Sequence, residues 1–301
     1  MNLAATVSIY SGGPGSGCNP AAGNCGRPSG PKKDIGVSFK NVQAPTKPLQ
    51  PGQSTEDVWR DPKTGKWNPE RAAFHERVVA TLIAGHARYI GTPIATILGG
   101  GTASGKTSAS RKIMGDDPNV VRIDPDEIKT AIPEYAGLKQ TDPDNASARV
   151  HEESSYMSKL AMAHVAARNL DLVYDATTAG NGGPSMAKML ESKGYDVRAM
   201  FFDIPIEEAV ARSERRANSS TDPINFGRHV LLDVIKTNHY GAANKFMMMK
   251  DMPEISNKKF FDNTGSEPKL VYERAGMGEE KIHDNERWEQ YKTKAEGHES
   301  T

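Results

Sequence analysis

Cysteine is scarce: the 301 residues hold two, Cys18 and Cys25. Two cannot make the disulfide framework of a small secreted scaffold. Four-coordinate zinc asks for about four ligands, and the nearest histidine is His75, so the pair is expected as free thiols. Excess charge of either sign is also missing, with 38 Lys plus Arg against 38 Asp plus Glu. That balance gives no footprint for sequence-independent binding to a phosphate backbone. Aromatics are only 7% of the chain and form no cluster with basic residues, which also argues against nucleic acid as partner. No apolar run approaches the roughly 18 residues of a membrane span, and MNLAATVSIYSGG lacks the basic start and long apolar run of a secretory signal. The expectation is a soluble, cytoplasmic protein without a membrane partner.

What is present suits a folded domain with unlike ends. Apolar residues make 37%, and with the 28 glycines the fraction enters the usual globular band of about 45–50%. Residues 1–53 contain nine glycines and seven prolines, a composition expected to give a disordered extension. Residues 276–301 are charged, with Trp288 and Tyr291 almost alone as large apolar groups; a charged tail with at most a frayed helix is expected. Residues 54–275 are left as the folded unit.

Within that unit, Asn68 and Pro69 open a helix carrying Phe74, Val78, Leu82 and Ile83 at helical spacing. The β-branched run ending at Leu98 leads into GGGTASGKT and then a helix-forming stretch. Strands near 120–123, 171–174 and 197–202 alternate with helices near 151–168, 186–193 and 206–217. Such alternation predicts an α/β fold, a parallel sheet with helices on both faces, and the glycine-rich run between strand and helix gives it the P-loop NTPase type. The run Met247–Met249 reads as core or gap-filler.

Gly100-x-x-x-x-Gly105-Lys106-Thr107 fits the P-loop at every fixed position and lies between strand and helix, as that motif requires. Backbone N–H groups of Gly100, Gly101, Thr102, Ala103, Ser104 and Gly105 can converge on phosphate oxygens at a helix start. Lys106 can reach the outer phosphates, and Thr107 offers a hydroxyl to Mg²⁺. Asp124 and Asp126 follow the second strand, at the sheet edge where open α/β folds bind ligands. Asp124 fits substrate binding or a helix cap; Asp126 fits acceptance of a hydroxyl proton. Asp175, ending a strand, can hold Mg²⁺ directly or through water, with Thr177 beyond it. Arg212 and Arg216 share a helix face, and Arg228 follows a loop; such cations suit the charge that spreads over a transferring phosphoryl group. Glu153, beside His151 and Glu152, is a candidate for the acceptor's hydroxyls.

Taken in order, GGGTASGKT, IDPDEIK, LVYDATT, LESKGYDVR and Ile204-Pro205 with its arginine-bearing helix resemble the zeta toxin family of P-loop kinases, from about Trp59 to Arg228. The resemblance implies an adenylate-kinase-like fold and transfer of phosphate from ATP or GTP, with Mg²⁺, to a sugar hydroxyl of UDP-N-acetylglucosamine. It makes Asp126 the catalytic base, Lys106 and Thr107 the phosphate and metal residues, Arg216 and Arg228 the transition-state cations, and Thr177 a substrate-pocket hydroxyl. In one departure, an ungapped match puts Lys159 where characterised toxins carry a substrate-binding acid. The segment GGPGSGCNPAAGNCGRPSGP also looks like parts of bacteriophage structural proteins. An antitoxin or a phage structural protein is therefore the candidate macromolecular partner, in a bacterial host cell or on a virion. Two other readings keep the same motifs: a kinase for another small molecule or a nucleic-acid end, and a virion-associated nucleotide-binding protein without catalysis.

Overall fold

The computed structural model describes residues 37–87, 91–115, 117, 119–222 and 224–297. Cys18, Cys25 and the first 36 residues of the expected extension lie outside them. In chain order the elements are α1 (Thr55–Trp59), α2 (Pro69–Ile83), β1 (Ile94–Gly99), α3 (Lys106–Met114), β2 (Val121–Ile123), α4 (Pro125–Lys129), α5 (Pro133–Thr141), α6 (Ala146–Arg149) and α7 (His151–Ala167). Then come β3 (Leu172–Asp175), α8 (Gly182–Ser192), β4 (Asp196–Asp203), α9 (Ile206–Ala217), α10 (Leu232–Met249), β5 (Asn257–Asp262), β6 (Lys269–Ala275), β7 (Glu280–Ile282) and α11 (Asn285–Glu296).

One seven-stranded sheet runs in the order β2-β3-β1-β4-β5-β6-β7. The first five strands are parallel, whereas β6 and β7 pair antiparallel at one edge. β1 is central, flanked by β3 and β4, and is buried along its length after Ile94. This explains its unbroken apolar sequence, because helices cover both faces of a parallel sheet. The chain leaves β1 towards β3 and β2, then returns to β4 on the other side. The reversal opens a crevice at the carboxyl edge of β1, where the glycine-rich loop begins.

Two expectations about the ends are corrected. Residues 37–53, assigned to the disordered extension, lie along the domain: Phe39 is buried, and Val37, Val42, Ala44 and Leu49 pack on the main core. Arginines satisfy the carbonyls of this proline-rich strap, Arg71 Nη1 donating to Pro45 O at 2.6 Å and Arg149 to the carbonyls of Gln50 and Gln53 at 2.7 Å. The strap therefore needs no ladder of its own to satisfy its backbone.

The supposed charged tail carries β7 and α11. Tyr291 stacks on Phe260 with centroids 3.9 Å apart, and Trp288 on Tyr272 at 4.6 Å. The two aromatics are spaced i, i+3 on one helix face, which docks them together. Asp284 caps the helix by accepting from Arg287 N at 3.0 Å. Among the methionines of α10, Met249 is buried and Met248 half exposed, so only part of that run is core.

Candidate functional site: the glycine-rich loop and its carboxylates

The loop between β1 and α3 takes its path from residues without side chains. Gly100 has φ +144°, and an added Cβ would sit 2.3 Å from the Phe202 carbonyl oxygen. At Gly101 the same atom would lie 2.2 Å from the His239 ring. Gly105 caps α3 in the left-handed region at φ +75° and offers no side-chain cap. The first N–H groups of α3 are thus left to an external anion, where the helix dipole favours one. Three groups hold the loop from behind. His239 Nε2 lies 2.9 Å from Thr102 O, Asn238 donates to Thr102 Oγ1 at 2.9 Å, and Asn263 donates to Ser104 O at 2.7 Å. Thr177 contributes through its backbone, its carbonyl accepting from Gly100 N at 3.2 Å.

Above the loop is a cleft of about 520 Å³, lined by Lys106 and Thr107 from α3 and by Arg212, Arg215 and Arg216 from α9. Arg212 is tied to Glu208 at 2.8 Å and to the carbonyls of Asn263 and Thr264. Arg216 is 47% exposed and pairs with Asp222 at 3.0 Å. Arg228, the other expected cation, instead bonds Asp126 at 2.7 Å.

The carboxylates gather at the strand ends. Asp124 caps α4, accepting from Asp126 N at 2.8 Å and Glu127 N at 3.4 Å, so the cap accounts for part of its role. Burial, then the charges of Asp175 and Asp126, raise its pKa to about 7 against the lowering effect of Lys106. Asp175 Oδ2 accepts from Arg122 at 2.9 Å, while Lys106 Nζ stands 3.9 Å from its Oδ1. That Oδ1 is buried and has no hydrogen-bond partner among the described residues. No group of three or more His, Cys, Asp or Glu among the described residues is arranged to hold a metal alone. An orphaned carboxylate oxygen beside a phosphate-binding loop still fits Mg²⁺, which takes one or two carboxylates and completes its shell with phosphate oxygens and water.

Asp126 is braced twice, by Arg228 and by Lys129 Nζ at 2.8 Å. Burial works to raise its pKa, but the charges of Arg228 and Lys129 and their hydrogen bonds outweigh it and hold the carboxyl well below its usual range. Lys129 also donates to Ser147 at 2.7 Å and is only 3% exposed. It was legible in principle, three residues beyond Asp126 on one short helix. Arg122, Asn238, His239 and Asn263 carry no motif, and the fold alone brings them to the loop.

Glu153 is a correction. It is fully buried, accepting from Arg71 Nε at 2.6 Å and Arg71 Nη2 at 3.0 Å, with His75 Nε2 at 2.7 Å. Arg71 also binds Glu134 at 2.8 Å. The carboxylate shares with Glu134 the counter-charge of the buried Arg71 in an inter-helix network and has no face open to a substrate.

A second charged network sits behind the loop. Asp203, at the end of β4, accepts from Lys294 at 2.8 Å and Arg287 at 2.7 Å, both on α11, and lies 3.2 Å from His239 Nδ1. Burial would raise its pKa; the His239 hydrogen bond and the Lys294, His239 and Arg287 charges take it from 3.8 to about 2. A lowered acid contributes stability above its unfolded pKa and loses it as pH falls through the folded value. Asp203 should therefore contribute about 2 kcal/mol at neutral pH, lost between about pH 4 and pH 2. Urea unfolding across that range should show a steeper acid limb for the unaltered protein than for Asp203→Asn; equal slopes would refute the assignment.

A zeta toxin family model matches residues 80–273, which is 194 of the 301 residues. No curated protein matches the chain. Among solved structures, a chain of the AvrRxo1-ORF1:AvrRxo1-ORF2 complex aligns with TM-score 0.59 at 17% identity, covering 79% of this chain and 82% of that one. The same complex with ATP aligns at 0.54 and 16%, covering 79% and 81%. The PezAT chromosomal toxin-antitoxin system of Streptococcus pneumoniae aligns at 0.52 and 17%, covering 76% and 96%. Those likenesses are of fold: a mostly parallel α/β sheet with a P-loop, as in zeta-toxin-like kinases. The family match extends from α2 through the glycine-rich loop, Asp126, Asp175 and the arginines into β6, so the chain is a member of the zeta toxin family.

Proposed function

We propose that the protein is a kinase that moves the γ-phosphoryl group of ATP or GTP, with Mg²⁺, onto a sugar hydroxyl of UDP-N-acetylglucosamine. Family membership supports the reaction class. The observation that carries it is the convergence of the glycine-rich loop, Lys106, Asp175 and the doubly braced Asp126 at one edge of the sheet. ATP accompanies one neighbour of the same fold, which supports that donor.

The loop N–H groups and Lys106 bind the outer phosphates. Asp175 and the half-buried Thr107 would hold Mg²⁺, which would supply charge to screen the phosphates. Asp126 accepts a hydrogen bond from the acceptor hydroxyl and points its oxygen at the γ-phosphorus. The new bond joins that oxygen to phosphorus, the bond to the β–γ bridging oxygen breaks, and the nucleoside diphosphate leaves with the electron pair. Asp126 takes the hydroxyl proton. Because Arg228 and Lys129 make it a weak base, the proton moves late, as suits a dissociative transition state in which positioning counts for more than basicity. Arg216 and Arg212 flank the cleft where charge spreads. Arg228 and Lys129 gather around Asp126, a basic surround that suits an anionic acceptor such as a nucleotide sugar; Thr177 offers it a hydroxyl.

Two neighbours are toxin–antitoxin or two-component complexes, which supports an antitoxin as partner, inside a bacterial cell. Among the described residues no helix is long and apolar enough to cross a membrane.

The test is purified protein with ATP and Mg²⁺, with and without UDP-N-acetylglucosamine, read by mass spectrometry. One phosphoryl group should appear on the sugar nucleotide, and Asp126→Ala should slow the transfer about 100-fold. Bound ATP without transfer would sink this acceptor, and transfer at full rate in the variant would remove Asp126 from its role.

A further inference from the structure

The phosphate-binding loop rests on a buried histidine. Gly101 must be glycine because the His239 ring occupies the space a side chain would take, 2.2 Å from an added Cβ. The ring is 1% exposed. Its Nε2 faces the Thr102 carbonyl at 2.9 Å and its Nδ1 faces Asp203 Oδ1 at 3.2 Å. A carbonyl and an ionised carboxylate only accept hydrogen bonds. Both contacts are satisfied together only when each ring nitrogen carries a proton; a neutral ring sets a lone pair against one acceptor, in a ring almost wholly buried from solvent.

The surroundings favour that cation. Asp203 reaches it from β4 and is itself held by Arg287 and Lys294 from α11. Arg287 also reaches Asp262 on β5 at 3.2 Å, and burial, then the Asp203 charge, hold the Tyr291 phenol on α11 well above its ordinary range. From the loop side the Thr102 carbonyl and, through Asn238, the Thr102 hydroxyl meet α10 beside the close approach of Gly101 to the ring. Among these groups the imidazole alone has an ordinary titration range near neutral pH.

The consequence lies in the direction of one carbonyl. A loop that binds phosphate must aim its N–H groups inwards and its carbonyls outwards. We infer that His239 is a positioning residue for nucleotide binding: as an imidazolium beneath the loop it draws the Thr102 carbonyl away from the phosphates, and through Asp203 it ties the loop's shape to the C-terminal helix. The inference rests on the reading of the loop as the nucleotide site.

The experiment is ATP binding, with Mg²⁺ and no acceptor, by calorimetry on the full chain from about pH 6 to about pH 9. His239→Leu should bind ATP about tenfold more weakly than the unaltered protein at the acid end, and the two affinities should converge towards the alkaline end. Taking the ratio of the two cancels titrations that both proteins share, including those of ATP and Asp124. His239→Gln, which keeps one donor towards Thr102 without titrating, should lose less at the acid end and converge likewise; it decides the matter if the leucine variant does not fold. A ratio of one, or a ratio independent of pH in a folded variant, overturns the inference, since a purely packing role would not follow pH. If the unaltered protein binds no ATP at any pH, the nucleotide-site reading falls and this inference with it.

Discussion

Lys106→Ala should abolish phosphate transfer, with a loss of at least about 10³-fold in kcat/KM, while leaving the protein folded. The amine stands at the mouth of α3, directly after the glycine that leaves the helix start uncapped. Removing it takes away charge that grows in value as the β–γ bond lengthens, so the loss should fall on kcat as well as on nucleotide affinity. The fold should be little affected. Lys106 is 17% exposed on its side chain and stands 3.9 Å from Asp175, which retains Arg122 at 2.9 Å. Circular dichroism and a melting curve beside the turnover assay separate the two effects. Transfer at the unaltered rate in the folded variant would refute the catalytic role of the P-loop lysine, whereas ATP binding without transfer to any acceptor by the unaltered protein would leave a noncatalytic, virion-associated nucleotide binder as the better reading.

Glu153→Ala should cost about 3–5 kcal/mol of unfolding free energy, the largest stability effect expected from any single carboxylate here. Burial opposes ionisation of Glu153, but hydrogen bonds from His75 and Arg71 and the Arg71 charge outweigh it, so its pKa is lowered. Truncation leaves the wholly buried Arg71 with Glu134 and the Pro45 carbonyl as its remaining partners. It also loosens the joint between α2 and α7 on which the 37–53 strap is seated. Denaturant unfolding measures the loss. Whatever folded protein remains should keep the acceptor KM unchanged, because the side chain has no face towards the site; a raised acceptor KM with undiminished stability would restore Glu153 to substrate binding.

These two residues mark the boundary of what can be read without coordinates. Lys106 can be placed from the sequence because everything around it is local. The glycines, the lysine and the hydroxyl of a P-loop lie within eight residues, and strand and helix on either side dictate their geometry. The same holds for Asp126 and Asp175, each placed by the end of a short apolar strand at the edge of a parallel sheet. Glu153 was misassigned because a carboxylate beside a helix start has the same sequence signature whether it meets a sugar or an arginine. Only the packing of α2 against α7 supplies the partner, Arg71, 82 residues away.

The ends of the chain follow the same division. Proline and glycine counts describe how a segment behaves alone, and residues 37–53 do not act alone; arginines on α2 and α6 bind their carbonyls. The high charge of α11 suggested a solvated tail, yet two aromatics and two cations three to seven residues apart are enough to dock it, since the sheet supplies Phe260, Tyr272 and Asp203 as ready partners.

The sequence by itself determined the α/β class, the place of the glycine-rich loop between strand and helix, and the acids at the strand ends, because each is a matter of short-range geometry. The tertiary structure decided which charges cancel one another: Arg228 and Lys129 on Asp126, Arg71 on Glu153, His239 between Asp203 and the loop. The physical reason is that a charge buried in a folded chain is defined by its partner, and partners are chosen by packing across distances in sequence that no local pattern records.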